Sequence, residues 1–154
     1  MKTVFLSLAA MLAMGCGAKL IPGTKLADTP DNRSIVSVVE KYRRAMEARD
    51  VDGLLALASK DYKEDGGTPG AADDYGHEGL KRVLRDRFAK VRALRLQVVV
   101  GRVEFSGSRA RIEYRWEMQC QYTHKDKVGW HVKTDDNRFE LERVGGQWLF
   151  TSGL

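Results

Sequence analysis

Apolar positions recur along this chain with two periods, and the change from one to the other divides it into helices and strands. An apolar run from Val4 to Met14, preceded by Lys2, has the pattern of a secretory leader. As a helix it would rise about 16 Å, half of a hydrocarbon core about 30 Å thick, so it does not make a permanent span. Further on, Ile35, Val38, Val39, Tyr42, Ala45 and Met46 are spaced by threes and fours behind Thr29-Pro30-Asp31, a cap with an early proline. That spacing predicts an amphipathic helix. Asp50 caps a second short helix over Val51 to Ser59, whose Leu54, Leu55, Leu57 and Ala58 imply deep burial, and the two make a helical hairpin. A third helix has Leu80, Leu84, Phe88 and Val91 on its buried side.

After that helix the period becomes two. Leu94, Leu96, Val98 and Val100 alternate, and Val103 and Phe105 resume beyond Gly101. In the next strand Ala110, Ile112, Tyr114, Trp116, Met118, Cys120 and Tyr122 share one face, while Arg109, Arg111, Glu113, Arg115, Glu117, Gln119 and Gln121 share the other. This is the signature of a half-buried antiparallel strand. Lys125-Asp126-Lys127 turns the chain into a strand over Val128 to Lys133; a separate strand over Arg138 to Val144 follows, and Gly145-Gly146 makes a hairpin into Gln147 to Ser152. Tyr62 to Asp65 starts a strand that Gly66-Gly67-Thr68-Pro69-Gly70 breaks, opening a long acidic loop that reaches Gly76. Helices first and a strand meander afterwards predict an α+β fold, a curved sheet wrapped against the helices.

Charge changes little in this picture. Of 26 basic and 21 acidic groups, loss of residues 1–15 removes one lysine and no acid. In an exported protein that modest excess serves solubility and contact with anionic headgroups, and nucleic acid is not an expected partner. The run Lys81, Arg82, Arg85, Arg87, Lys90 and Arg92 reads as the solvated face of the third helix. Two cysteines supply no disulfide framework, and residues 16–154 suffice for one domain with its own core.

Leu12-Ala13-Met14-Gly15-Cys16 resembles the lipobox of bacterial lipoproteins, with Ala13 where that motif usually has leucine. The resemblance implies cleavage before Cys16, acylation of that cysteine and stable anchoring through more than one acyl chain. Gly17 after the cysteine resembles lipoproteins sorted to the outer membrane where the host has one. The expected organisation is a signal peptide over 1–15, a lipidated cysteine and flexible tether over 16–31, and a domain over 32–154.

The domain resembles the nuclear transport factor 2-like superfamily, which includes SnoaL-like proteins. Val38-Val39-Glu40-Lys41-Tyr42 with Ala48-Arg49-Asp50-Val51-Asp52-Gly53-Leu54-Leu55-Ala56-Leu57 is similar to its opening helical hairpin, and Phe139-Glu140-Leu141 through Gly146-Gln147-Trp148-Leu149 to its closing strand pair. The resemblance implies a cone-shaped fold, which hosts many unrelated activities. Some relatives are ketosteroid isomerases, in which a carboxylate base, a tyrosine and a protonated aspartate handle an enolate. By that resemblance Tyr42 falls at the helix tyrosine, Asp65 near the base and, with a gap, Asp136 near the acid partner.

From the residues themselves the catalytic case is thin. Glu64 and Asp65 adjoin a glycine-rich loop that suggests solvent, and Tyr42 reads first as a core tyrosine with its hydroxyl at the cavity edge. His77, His124 and His131 lack ligand spacing, so no metal is expected, and without a phosphate-cradling loop neither is a cofactor. Cys120 reads as a buried, inert thiol. Tyr42, Tyr114, Trp116, Met118, Tyr122 and Trp130 are the pocket candidates, lining the cone or filling it. The expectation is a noncatalytic, membrane-anchored exported lipoprotein, monomer or homodimer, that binds a small hydrophobic ligand or an envelope protein. An acid/base enzyme of the SnoaL or ketosteroid isomerase kind, and an envelope assembly scaffold, are the alternatives.

Overall fold

Cap chemistry sets the first two helices. In the computed structural model, which describes residues 19–65, 73–124 and 127–154, the Thr29 hydroxyl accepts from the Asn32 amide at 3.2 Å and opens α1 (Pro30–Ala48). Arg49 closes it in the left-handed region at φ 55° and donates from Nη1 to the Val91 carbonyl at 2.7 Å. Asp50 then caps α2 (Val51–Leu57), accepting from the Gly53 amide at 2.9 Å. A short hairpin of β1 (Lys63–Glu64) and β2 (Tyr75–Gly76) leads into α3 (His77–Ala89).

The remainder is an antiparallel meander, β3 (Val91–Ser106), β4 (Arg109–His124), β5 (Lys127–Val144) and β6 (Gln147–Ser152), in that order across the sheet. The helices pack on its inner face, where Leu94, Leu96, Val100, Ile112, Phe139, Leu141 and Phe150 are buried with Ile35, Val39 and Leu54. Register breaks between Val100 and Arg102 and between Glu140 and Leu141 accompany the bend of the sheet into a cone. The α2 end is tied to β6 by a parallel bridge between Ala58 and Phe150 and by the Ser59 amide on the Phe150 carbonyl at 2.8 Å.

Four expectations change. The two strands predicted over Val128–Lys133 and Arg138–Val144 are one strand, because Thr134 to Asn137 pair with Tyr114 to Glu117 of β4 despite their polar composition. The second helix stops at Leu57 instead of Ser59, and Val91 opens β3 instead of ending α3. The segment expected to be a flexible tether to residue 31 is folded from Lys19 onward. There Leu20 bridges Ala27, the Ile21 amide donates to Leu26 at 2.9 Å, and Ile21 and Leu26 are buried in the core. The leader, Cys16 and loop residues 66–72 lie outside the described residues.

Candidate functional site

Alternation along β1 turns Tyr62 and Glu64 to the same side. The Tyr62 hydroxyl donates to Glu64 Oε2 at 2.5 Å, and the Gly153 amide donates to the same oxygen at 2.7 Å. Leu154 donates its amide to the Tyr62 hydroxyl at 3.0 Å, so the stretch after β6 holds the hairpin. Gly153 stands at φ 97°, and a Cβ there would come within 2.5 Å of the Arg138 carbonyl; the close approach requires glycine. Tyr75, opposite Glu64 across the hairpin, stacks on Tyr62 with ring centres 6.5 Å apart.

Two further tyrosines are buried in the core, and Tyr114 also lines the cleft beside this hairpin. Tyr42 of α1 meets Phe139 edge-on at 5.1 Å, while Tyr114 of β4 stacks flat on the same ring at 3.9 Å. Burial pushes Tyr42 up to about 12, against the pull of Arg87. Tyr62 is raised by burial and then by its bond to Glu64, and Tyr114 by burial and then by Tyr42 and Glu64, with the Asn137 amide opposing. Tyr75 is raised by burial too, opposed by the Arg87 guanidinium that bonds it. All four phenols are therefore neutral hydrogen-bond donors at ordinary pH. Tyr62 spends its proton on Glu64, so of the phenols lining the cleft Tyr75 and Tyr114 are the ones whose O–H suits a ligand that presents carbonyl or hydroxyl oxygens.

An open cleft of about 1600 Å³ lies at this cluster, lined by Tyr62, Glu64, Tyr75, Tyr114 and Asn137. Lys25, Lys60 and Lys63 line it too, interleaved with the exposed acids Asp61, Asp65 and Asp74. A second cavity of about 470 Å³ is mostly apolar, walled by Met46, Phe88, Leu94, Met118, Cys120 and Tyr122. Arg87 lines that cavity and bonds Tyr75, which lines the cleft. Cys120 is a buried free thiol within it.

The residues expected from sequence are thus divided. Tyr114 lines the cleft and Met118 and Tyr122 the apolar cavity, while buried Tyr42 and half-buried Trp116 line neither, Trp116 lying under the Lys133 ammonium, 5.3 Å from its ring. Trp130 is corrected: it pairs with Gln121, stands on the opposite sheet face at 49% exposure and is covered by Arg95 at 5.6 Å. Asp136, like Asp65, borders the cleft, but at its exposed edge, where a two-point pair with Arg115 at 2.9 Å holds its carboxyl below the usual range. Asp65 is exposed at the cleft rim, because β1 turns its neighbour Glu64 inward. Glu64, expected in solvent beside the glycine-rich loop, is instead half-buried and held by two donors, and the spacing of two from Tyr62 carried the signal; Tyr62, Tyr75 and Gly153 were not expected at the site. Among the described residues no three histidine, cysteine, aspartate or glutamate side chains gather as a metal-ligand set.

No protein-family model and no curated protein matches the chain in sequence. Solved structures do match it in shape. A conserved protein from Planctomyces limnophilus aligns with a TM-score of 0.68 at 13% identity, over 79% of this chain and 91% of its own. A Streptomyces avermitilis protein of the nuclear transport factor 2-like family gives 0.65 at 16%, over 79% and 93%. A ketosteroid isomerase-like protein from Erwinia carotovora atroseptica gives 0.61 at 18%, over 80% and 92%.

Proposed function

We propose, from the premise that this chain has the nuclear transport factor 2-like fold, that it is a membrane-anchored exported lipoprotein whose cone binds a small amphiphilic ligand without transforming it. The observation that carries this reading is the pair of spaces itself, a cleft bordered by Tyr62, Tyr75 and Tyr114 and an apolar cavity, with Arg87 of the apolar cavity bonded to Tyr75 of the cleft. Such a pair of spaces suits a ligand with a polar head and a hydrocarbon body. Cys16 supplies the anchor and places the domain in the cell envelope. The test is native mass spectrometry of protein purified from its own membrane, which reads acylation, bound ligand and partners together. Acylated protein carrying a small amphiphile is the expected result. Acylated protein that carries none, and that gains no thermal stability from any hydrophobic ligand in a screen, overturns ligand binding.

A second reading, an acid/base enzyme, is favoured by one observation: Glu64 is fixed by two donors beside Tyr114, an arrangement able to orient a general base. The ketosteroid isomerase-like neighbour agrees with it in fold alone. Under this reading Glu64→Gln abolishes turnover of a bound ligand while leaving its retention intact, whereas pure binding predicts no turnover in either form.

A further inference from the structure

The folded stretch before α1 determines how an anchored domain would sit. The Asp28 amide donates to the Lys19 carbonyl at 2.7 Å and Asn32 Nδ2 to the Ala27 carbonyl at 2.9 Å, so the turn is fastened both to itself and to α1. Only Gly17 and Ala18 separate Cys16 from this folded turn. Three Cα steps of 3.8 Å span at most about 11 Å, far less than a tether to residue 31 would allow. An acylated Cys16 therefore holds the turn within the headgroup layer.

The turn is suited to that place. Residues Lys19 to Leu26 include two lysines and no acid. Lys19 keeps 83% of its side chain exposed although its ammonium lies 3.8 Å from the Asp28 carboxylate, Leu20 is 51% exposed, and Pro22, Gly23 and Lys25 are exposed beside it. Lysines flanking exposed apolar tips match a bilayer with anionic headgroups, where the ammonium groups meet phosphate and the tip enters the interface. Lys25 also lines the tyrosine cleft, together with Lys60 and Lys63.

We infer that the Lys19–Leu26 turn is a membrane-contact surface for anionic bilayers, and that it sets the Lys25 side of the cleft against the headgroups. The inference rests on the lipid anchor at Cys16. It gives the cleft a route of entry: an amphiphile leaves the bilayer past Lys25 without crossing free solution. The competing surface is the exposed Val128, Trp130 and Val132 on β5, and Val132 lies six residues, about 20 Å, along the strand from Arg138 of the cleft.

The experiment uses the acylated full chain in vesicles of phosphatidylcholine and phosphatidylglycerol, with an environment-sensitive fluorophore on Leu20→Cys, Lys25→Cys or Val132→Cys and brominated lipid as quencher. Cys120 is buried, and these three sites are exposed. Loss of fluorescence at positions 20 and 25 with none at 132, weakened by salt and by Lys19→Glu, supports the inference. Quenching at 132 instead, or at none of the three, overturns it. The mass of the same preparation separates the two levels. An unmodified Cys16 removes the anchor and this orientation together, while an acylated Cys16 without quenching at 20 and 25 removes the orientation alone.

Discussion

Tyr62 and Glu64 form a hydrogen bond of 2.5 Å across one intervening residue, and Gly153 adds its amide to the same carboxylate oxygen at 2.7 Å. One carboxylate therefore joins the β1–β2 hairpin to the segment after β6, and the tyrosine cleft owes its shape to that joint. A gap of 89 positions separates Glu64 from Gly153 in sequence, so the bond closes the fold as well as the site.

Glu64→Gln keeps an acceptor for both donors and removes the charge. Bonds to a charged acceptor are stronger than neutral ones, so the variant should be less stable by about 1–2 kcal/mol. The Tyr62 phenol, raised in part by Glu64, should titrate lower in the variant. Tyrosinate absorbance followed through an alkaline titration checks the shift, and urea denaturation checks the stability. An unchanged titration would mean that the carboxylate does not face the phenol.

Buried phenols make the domain sensitive to base. Tyr42 ionises at about 12 when folded against 10.0 as a model group. Between those values the unfolded chain releases a proton that the native state keeps, so unfolding gains and stability falls as pH rises. Two units correspond to about 3 kcal/mol from this residue, fully present below pH 10 and lost through pH 12. Tyr42→Phe should change stability little at pH 8 and should reduce the slope of stability against pH in this window by nearly one proton. Urea midpoints measured across the window decide it.

Phe139 is the floor on which the two core tyrosines rest. It is fully buried, meets Tyr42 edge-on, lies flat under Tyr114 and touches Phe150 at 4.9 Å between ring centres. Phe139→Ala should cost about 3–5 kcal/mol and release both hydroxyls from their positions. Phe139→Leu fills more of the space, so its cost should be smaller and its fold retained. In that milder variant, ligand retention lost beyond the fall in stability would show that the ring orients Tyr42 and Tyr114 as well as packing them.

Local chemistry was readable wherever it acts over a few residues. Thr29 and Asp50 cap the helices they were expected to cap, and the alternation through Ala110 to Tyr122 orients β4 correctly, because both signals are complete within one element. Parity does not carry across a hairpin of unknown turn geometry, and Trp130 accordingly stands on the face opposite Tyr122. Asp136 was placed near the acid position by resemblance with a gap, and its pair with Arg115, 21 positions away, could not be read from the neighbours of either residue. The hydroxyl cluster was hidden for the same reason: Tyr62 and Glu64 gain their setting from Tyr75, Tyr114 and Gly153, brought together only by the closed sheet.

The turn before α1 gives a test that separates a docked segment from a tether. Ile21 retains 9% exposure and lies in the core beside Leu26, with the turn closed by the Ile21–Leu26 and Lys19–Asp28 backbone bonds. Truncating a buried isoleucine to alanine costs about 2–5 kcal/mol, less where the surroundings can collapse into the space. Ile21 sits at the margin of the core, so Ile21→Ala should fall at the lower end of that range. A residue in a solvated tether would give no change. The measurement is the urea midpoint of leaderless protein with Cys16→Ser, compared with and without Ile21→Ala. Trypsin gives a second reading through Lys25, which is exposed on the docked turn. Cleavage after Lys25 should be slow in the parent and faster in Ile21→Ala, because a protease needs the local backbone extended and the turn must undock first. Equal cleavage rates together with an unchanged midpoint would return residues 19–28 to the status of a tether.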